Sequence, residues 1–314
     1  GFPNDYPNVQ MPDPLAINIG TTLPFTLQGQ NLNLGYSTSD PQSLLNIIND
    51  TSGIVPDSDY GFELSFLRLM KDQSNVYSAS IKTAYQYSYQ DTVGYPTNQL
   101  AQQLKIVARL INGGLKTPVY IVKHPQSFDS HEFQVEVGSK QTGKHADNLK
   151  VLSDSILAFQ QDLLRLNKSD NVVGMTFSEF GRRIKSNDSL GTDHGVGAPV
   201  FFFGTSLNQE SNPLGNSAMR IKGMIGEAPD LPVNATVNDQ IAMQFDYRQI
   251  YTTVMQDWLG MTKQEADNVL GGSFARLPIF QSVEILPVEL VSFTGRLEGN
   301  YTILNWETAS EFNN

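Results

Sequence analysis

The chain has 314 residues, 39% of them hydrophobic and only 17% charged, enough to bury a sizeable core in one large domain or one domain plus a small appendage. A net charge of -11 and a pI near 4.8, with Arg182-Arg183 the only adjacent arginines, exclude a nucleic-acid binder built on clustered basic residues. The lack of cysteine excludes disulfides, thiolate metal sites and thiol nucleophiles, and no run reaches the roughly 18 apolar residues that span a bilayer.

The opening, to about Asp59, is rich in Pro, Asn, Asp, Gly and Ser and is expected to be irregular. A short strand near Leu15–Ile19 and a helical turn around Pro41–Ile48 are its two expected elements. From Tyr60 to Thr92, Phe62, Phe66, Leu69, Met70, Val76, Ile81 and Tyr85 recur at helical spacing, which predicts two helices parted near Gln73–Asn75. Tyr95–Asn112 reads as a further helix, with Pro96 near its start and Gly113-Gly114 as its stop. Thr117–Val122 (TPVYIV) has the β-branched character of a fully buried parallel strand. A polar loop, HPQSFDSHEFQ, follows it, and then an amphipathic helix from about Gly143 to Asn167.

Asn171–Thr176 and Pro199–Phe203 read as a second and a third buried strand, separated by SEFGRR and GTDHG. This strand–loop–helix–strand–loop–strand order predicts a parallel sheet with covering helices, and in such sheets ligands bind beyond the carboxyl ends of the strands. Asp246–Leu259 reads as a helix capped by Asp246 and stopped by Gly260. From Leu286 two alternating strands joined by Glu298-Gly299-Asn300 predict a β-hairpin. The expected division is residues 1–284 and 285–314, with a boundary near Val283–Leu286. The chain begins without Met or a signal-peptide pattern and stops at TASEFNN, so both ends read as cut.

Four histidines occur, and two lie close to an aspartate: Asp129 with His131, and Asp193 with His194. Carboxylate and imidazole together form the ligand set of zinc or of harder divalent ions. Residues two apart in extended chain point the same way, so Asp129 and His131 can converge on one ion, while a Gly-flanked loop can turn Asp193 and His194 inward. Glu179 adds a third carboxylate after the second strand. The alternative for each is plain: a surface hydrogen-bonding pair, a turn, and a carboxylate paired with Arg182 or Arg183. The two arginines themselves read either as an anion-binding fork or as structural ion-pair partners. His124 and His145 read as structural or solvent-facing.

The stretch MTFSEFGRRIKSNDSLGTDHGVGAPVFFFG resembles the signature of a bacterial family called domain of unknown function 1501, which is similar to the alkaline-phosphatase/sulfatase superfamily. PNVQMPDPLAINIG, SFDSHEFQ, HADNLKVLSDSI and FDYRQIYTTVMQDWLG extend the resemblance over roughly Asn8 to Gly260. It implies an α/β/α sandwich with a mainly parallel sheet, lacking its amino-terminal part here, and a dinuclear metal site at the sheet edge. It implies Asp129 and His131 as ligands, Glu179 in place of the Asp of an Asp-His pair, and His194 as the last ligand His. Phe180 stands where another ligand His would follow, and the nucleophile and a further metal-binding Asp are expected upstream of Gly1.

LPVELVSFTGRLEGNYTILNWETASEFNN resembles the start of a β-sandwich module of Bacteroidetes proteins exported by the type nine secretion machinery, which implies an extracellular or cell-surface location. Together the resemblances imply a secreted, metal-dependent hydrolase-like domain acting on a phosphate or sulfate ester, such as a small ester or a sulfated or phosphorylated glycan. Its divalent ions would be zinc, calcium or magnesium. The competing expectation is a non-catalytic cell-surface structural or binding protein that keeps the fold.

Overall fold

The computed structural model describes residues 9–24, 27, 35–44, 54–208 and 223–281, with the backbone of 290–298 and 301–308. It shows a mixed α/β architecture built around a small parallel sheet. The central strand β1 (Ala16–Ile19) buries Ile17 and Ile19 almost completely. It pairs in parallel with β2 (Gly35–Thr38) on one side and β3 (Val119–Ile121) on the other. Parallel neighbours need long crossovers. Helices α1 (Asp59–Gln86) and α2 (Gln99–Asn112) lie in the connection from β2 to β3, each begun by a side-chain cap, from Ser58 and Asn98 respectively. Helix α3 (Lys144–Arg165) completes the layer, and Tyr77, Ile81, Leu104, Val107, Leu110, Phe159 and Leu163 join Ile17 and Ile19 in one core.

Three features differ from the sequence-based expectation. The segment expected to break near Gln73–Asn75 is one continuous helix, α1. It contains neither Pro nor Gly there, and Gln73, Tyr77, Ile81 and Ala84 carry a single buried stripe across the expected break. The apolar residues that suggested a separate first helix, Phe62, Phe66 and Leu69, are exposed instead. Second, β3 is shorter than Thr117–Val122 and is not fully buried, because it is an edge strand of the order β2-β1-β3. Third, the expected second and third strands shrink to β4 (Gly174–Met175) and β7 (Phe202–Phe203), which pair antiparallel with each other. The residues between them hold no helix to serve as a crossover, so the chain can only fold back on itself. Within that return, β5 (Gly181–Arg182) and β6 (His194–Gly195) form a second antiparallel ladder.

Helix α4 (Tyr247–Thr253) starts on a capping box of Asp246 with Gln249 and runs on as a π-helical turn, Val254–Trp258. Helix α5 (Lys263–Leu270) is an element the sequence reading missed, although Thr262 and Glu265 spell out the S/T-x-x-E start and Gly271, with φ of 67°, the stop. Strands β8 (Leu290–Glu298) and β9 (Tyr301–Thr308) form an antiparallel hairpin. Its turn residues Gly299 and Asn300, the boundary near Val283–Leu286, and Leu45–Ile48 of the expected helical turn lie outside the described residues; Pro41–Ser43 form a single 3-10 turn. Among the described residues no helix is long and apolar enough to cross a membrane.

Candidate metal centre

The chain leaving β3 carries Asp129 and His131 in its loop, and the β5–β6 ladder brings His194 to meet them. The ladder's two strands approach closely because Gly181 and Gly195 face each other. A Cβ on Gly195 would lie 2.5 Å from the Arg182 backbone, and one on Gly181 would lie 1.8 Å from Gly197 O. Gly191 does the same for the neighbouring loop: a Cβ there would lie 2.2 Å from the His131 carbonyl. Asn187 finishes the arrangement, its Oδ1 accepting from the backbone N–H groups of Ser189 and Gly191 while its Nδ2 donates to His131 O at 2.8 Å.

The result is a triangle of three donor atoms. His131 Nε2 and His194 Nε2 are 3.0 Å apart, and each is 3.0 Å from Asp129 Oδ1. Three electron-pair donors so placed repel one another unless a proton or a cation stands among them. One carboxylate and two imidazoles are a donor set that holds a divalent ion. All three side chains are exposed, so an ion reaches them directly.

Around the triangle stands a shell of partners. His131 Nδ1 lies 3.3 Å from Asp193 Oδ1, which fixes the ring so that Nε2 is the free donor. Phe180 stacks on the His194 ring at 3.7 Å between centroids, covering one face. Arg182 donates from Nη1 to Asp129 Oδ1 at 2.6 Å, from Nε to Thr192 Oγ1 at 2.9 Å, and from Nη2 to Thr192 O. Thr192 Oγ1 in turn donates to Gln134. The Arg182 hydrogen bond, followed by that from His194, holds the Asp129 carboxyl below the ordinary carboxylate range. The bond to His131, and then that from Asn187, lowers Asp193 likewise.

Of the other expected site residues, Arg182 and Asp193 bond members of the triangle, and Glu179 makes its contact elsewhere. Glu179 is exposed, and its carboxylate accepts from Ser178 Oγ at 3.4 Å. Neither arginine pairs with it: Arg182 goes to Asp129, and Arg183 donates to His194 O, Val237 O and Asn238 Oδ1. The guanidinium groups read from sequence as an anion fork are thus engaged by the protein's own acceptors. His124 faces the carbonyls of Gln126 and Asn148, and Phe128 packs between its ring and that of His145. Burial, aided by Arg182, pushes the His145 imidazole down. Thr192, Gln134 and Asn187 lie inside the quoted motifs but were not singled out as supports, since the Thr192–Gln134 and Asn187–His131 bonds join segments more than fifty residues apart.

Residues 70–271, which contain the whole centre, match the family described as "Protein of unknown function (DUF1501)". The chain belongs to that family. Neither a curated protein nor a solved structure matches it. The DUF1501 match takes in most of α1 and all of α2 to α5, together with β3 to β7, so the triangle and its supports lie within the matched residues.

Proposed function

We propose that this DUF1501 domain is a metal-dependent hydrolase-like module for a phosphate or sulfate ester, related to the alkaline-phosphatase/sulfatase α/β/α sandwich and working outside the cell. The observation that carries the reading is the triangle of Asp129 Oδ1, His131 Nε2 and His194 Nε2 at 3.0 Å edges. Two imidazoles beside one carboxylate favour zinc or a neighbouring transition ion over calcium or magnesium, which prefer oxygen ligands. Such an ion, when bound, supplies Lewis-acid polarisation of an ester oxygen. The chain's own residues do the rest: Asp193 aims His131, Arg182 aims Asp129, and Phe180 shields one face of His194. Export by type nine secretion, with residues from 285 onward opening a β-sandwich module, belongs to the same proposal and rests on the carboxyl-terminal sequence pattern.

A second reading, a non-catalytic surface protein retaining the fold, is favoured by how open the centre is. His131 and His194 are each about half exposed, and hollows of about 480 and 350 Å³ are lined by other residues. Metal content and hydrolysis of an aryl phosphate and an aryl sulfate decide between the two, compared for the full-length protein and its His131→Ala and His194→Ala variants. The hydrolase reading expects metal and turnover that both substitutions abolish. Metal-free, inactive protein indifferent to either change supports the second reading.

A further inference from the structure

Asp129 Oδ1 has three neighbours at contact distance, and one of them is already a cation. Arg182 Nη1 is the closest, at 2.6 Å, nearer than either imidazole. The guanidinium cannot swing away cheaply, because Thr192 holds its other two nitrogens through a hydroxyl and a carbonyl. The same residue is the cross-strand partner of His194 in the β5–β6 ladder. Arg182 therefore orients two of the three donors, Asp129 through its side chain and His194 through its backbone.

The other two expected carboxylates have partners of their own. Asp193 is bound to His131 Nδ1 and Asn187, and Glu179 faces Ser178. Among the described residues, Asp129, His131 and His194 are the one group spaced to share an ion. Resting on the metal reading above, we infer that this chain builds a one-ion centre in which the Arg182 guanidinium takes the place beside Asp129 that a second ion would fill. Arg182 is in these terms a positioning residue: it neutralises the carboxylate and keeps Oδ1 turned toward both imidazoles.

The test uses the full-length protein, stripped with chelator and titrated with zinc by calorimetry and with cobalt(II) by visible absorption. Wild type is expected to take one ion per chain. Arg182→Gln removes both charge and fork and is expected to bind that one ion about 10- to 100-fold more weakly, with an altered cobalt spectrum and an unchanged circular dichroism spectrum. Arg182→Lys restores charge without the fork and is expected to recover only part of the affinity. Two ions per wild-type chain would overturn the inference while leaving the metal reading intact. Unchanged or tighter binding by Arg182→Gln overturns the positioning role. No ion bound by wild type defeats the metal reading itself, and the one-ion centre with it. The stoichiometry of wild type decides the matter even if Arg182→Gln fails to fold.

Discussion

Arg182 and His194 face each other as register partners across the β5–β6 ladder, so the residue that bonds Asp129 also sets the position of the histidine Asp129 meets. Charge and backbone geometry thus reach the centre through one side chain and one short ribbon. The closeness of that ribbon depends on glycines at positions 181 and 195, where a methyl group would strike backbone atoms.

The loop glycine beside His131 gives a direct test of this packing. Gly191→Ala places a carbon 2.2 Å from the His131 carbonyl, so the loop must shift and His131 with it. Zinc affinity, measured by competition with a chromophoric chelator, is expected to fall at least about tenfold. An unchanged affinity would show that His131 is not held by this contact.

Asp162 is fully buried on α3, and its Oδ2 accepts from Tyr89 at 2.6 Å and Tyr95 at 3.0 Å while Arg165 bonds Oδ1. This network pins the chain between α1 and α2 onto the helical layer, far from the triangle in sequence and role. Burial, and then the neighbouring carboxylate, raises the Tyr95 phenol well above its ordinary range, so it remains a donor into strong alkali. Asp162→Ala is expected to cost about 3 kcal/mol in urea denaturation and Tyr95→Phe about 1 kcal/mol. The two losses should not add, since they share one carboxylate.

Helix α5 depends on a reciprocal cap: Glu265 N–H donates to Thr262 Oγ1 at 3.3 Å, and Thr262 N–H donates to Glu265 Oε2 at 2.9 Å. Thr262→Ala is expected to lower stability by about 1 kcal/mol, and Thr262→Ser by much less. Thermal unfolding of the three proteins side by side checks this, and equal midpoints would remove the cap from the account.

The start of α4 carries a pH signature. Asp246 is held down to about 2 by the Arg248 guanidinium, at 3.0 and 2.6 Å, and then by the Arg248 backbone N–H. Because the folded value is depressed from 3.8, the contribution is fully present above about pH 4 and is lost as the pH falls toward about 2. The stability gap between wild type and Asp246→Asn should therefore be flat from neutrality to about pH 4 and close below it. Urea titrations across that range measure it, and a gap that widens in acid would contradict the sign.

Much of this chain is legible residue by residue. The β-branched run at Val119–Ile121, the glycine stop after Asn112, the Asp246 cap and the hairpin-forming alternation after Leu290 are local signals, and local signals survive folding unchanged. The same holds for chemistry: the sequence alone marks Asp129, His131, Glu179, Asp193 and His194 as donor types, of which the fold brings three to one triangle, and its motifs point to the family. Even α5 is legible, in the capping-box pattern of Thr262 and Glu265. What tertiary structure decided is everything that depends on distant partners. Periodicity cannot tell that Gln73 continues a buried stripe, because burial is a property of what packs opposite it. Strand character in Gly174–Met175 and Phe202–Phe203 carries no direction, which here follows from the lack of a crossover helix between them. The sequence offered Glu179 as a partner for Arg182 or Arg183; the fold paired Arg182 with Asp129, fifty-three residues away, because the glycine-spaced β5–β6 ribbon delivers the guanidinium to the β3 loop and leaves Glu179 in water.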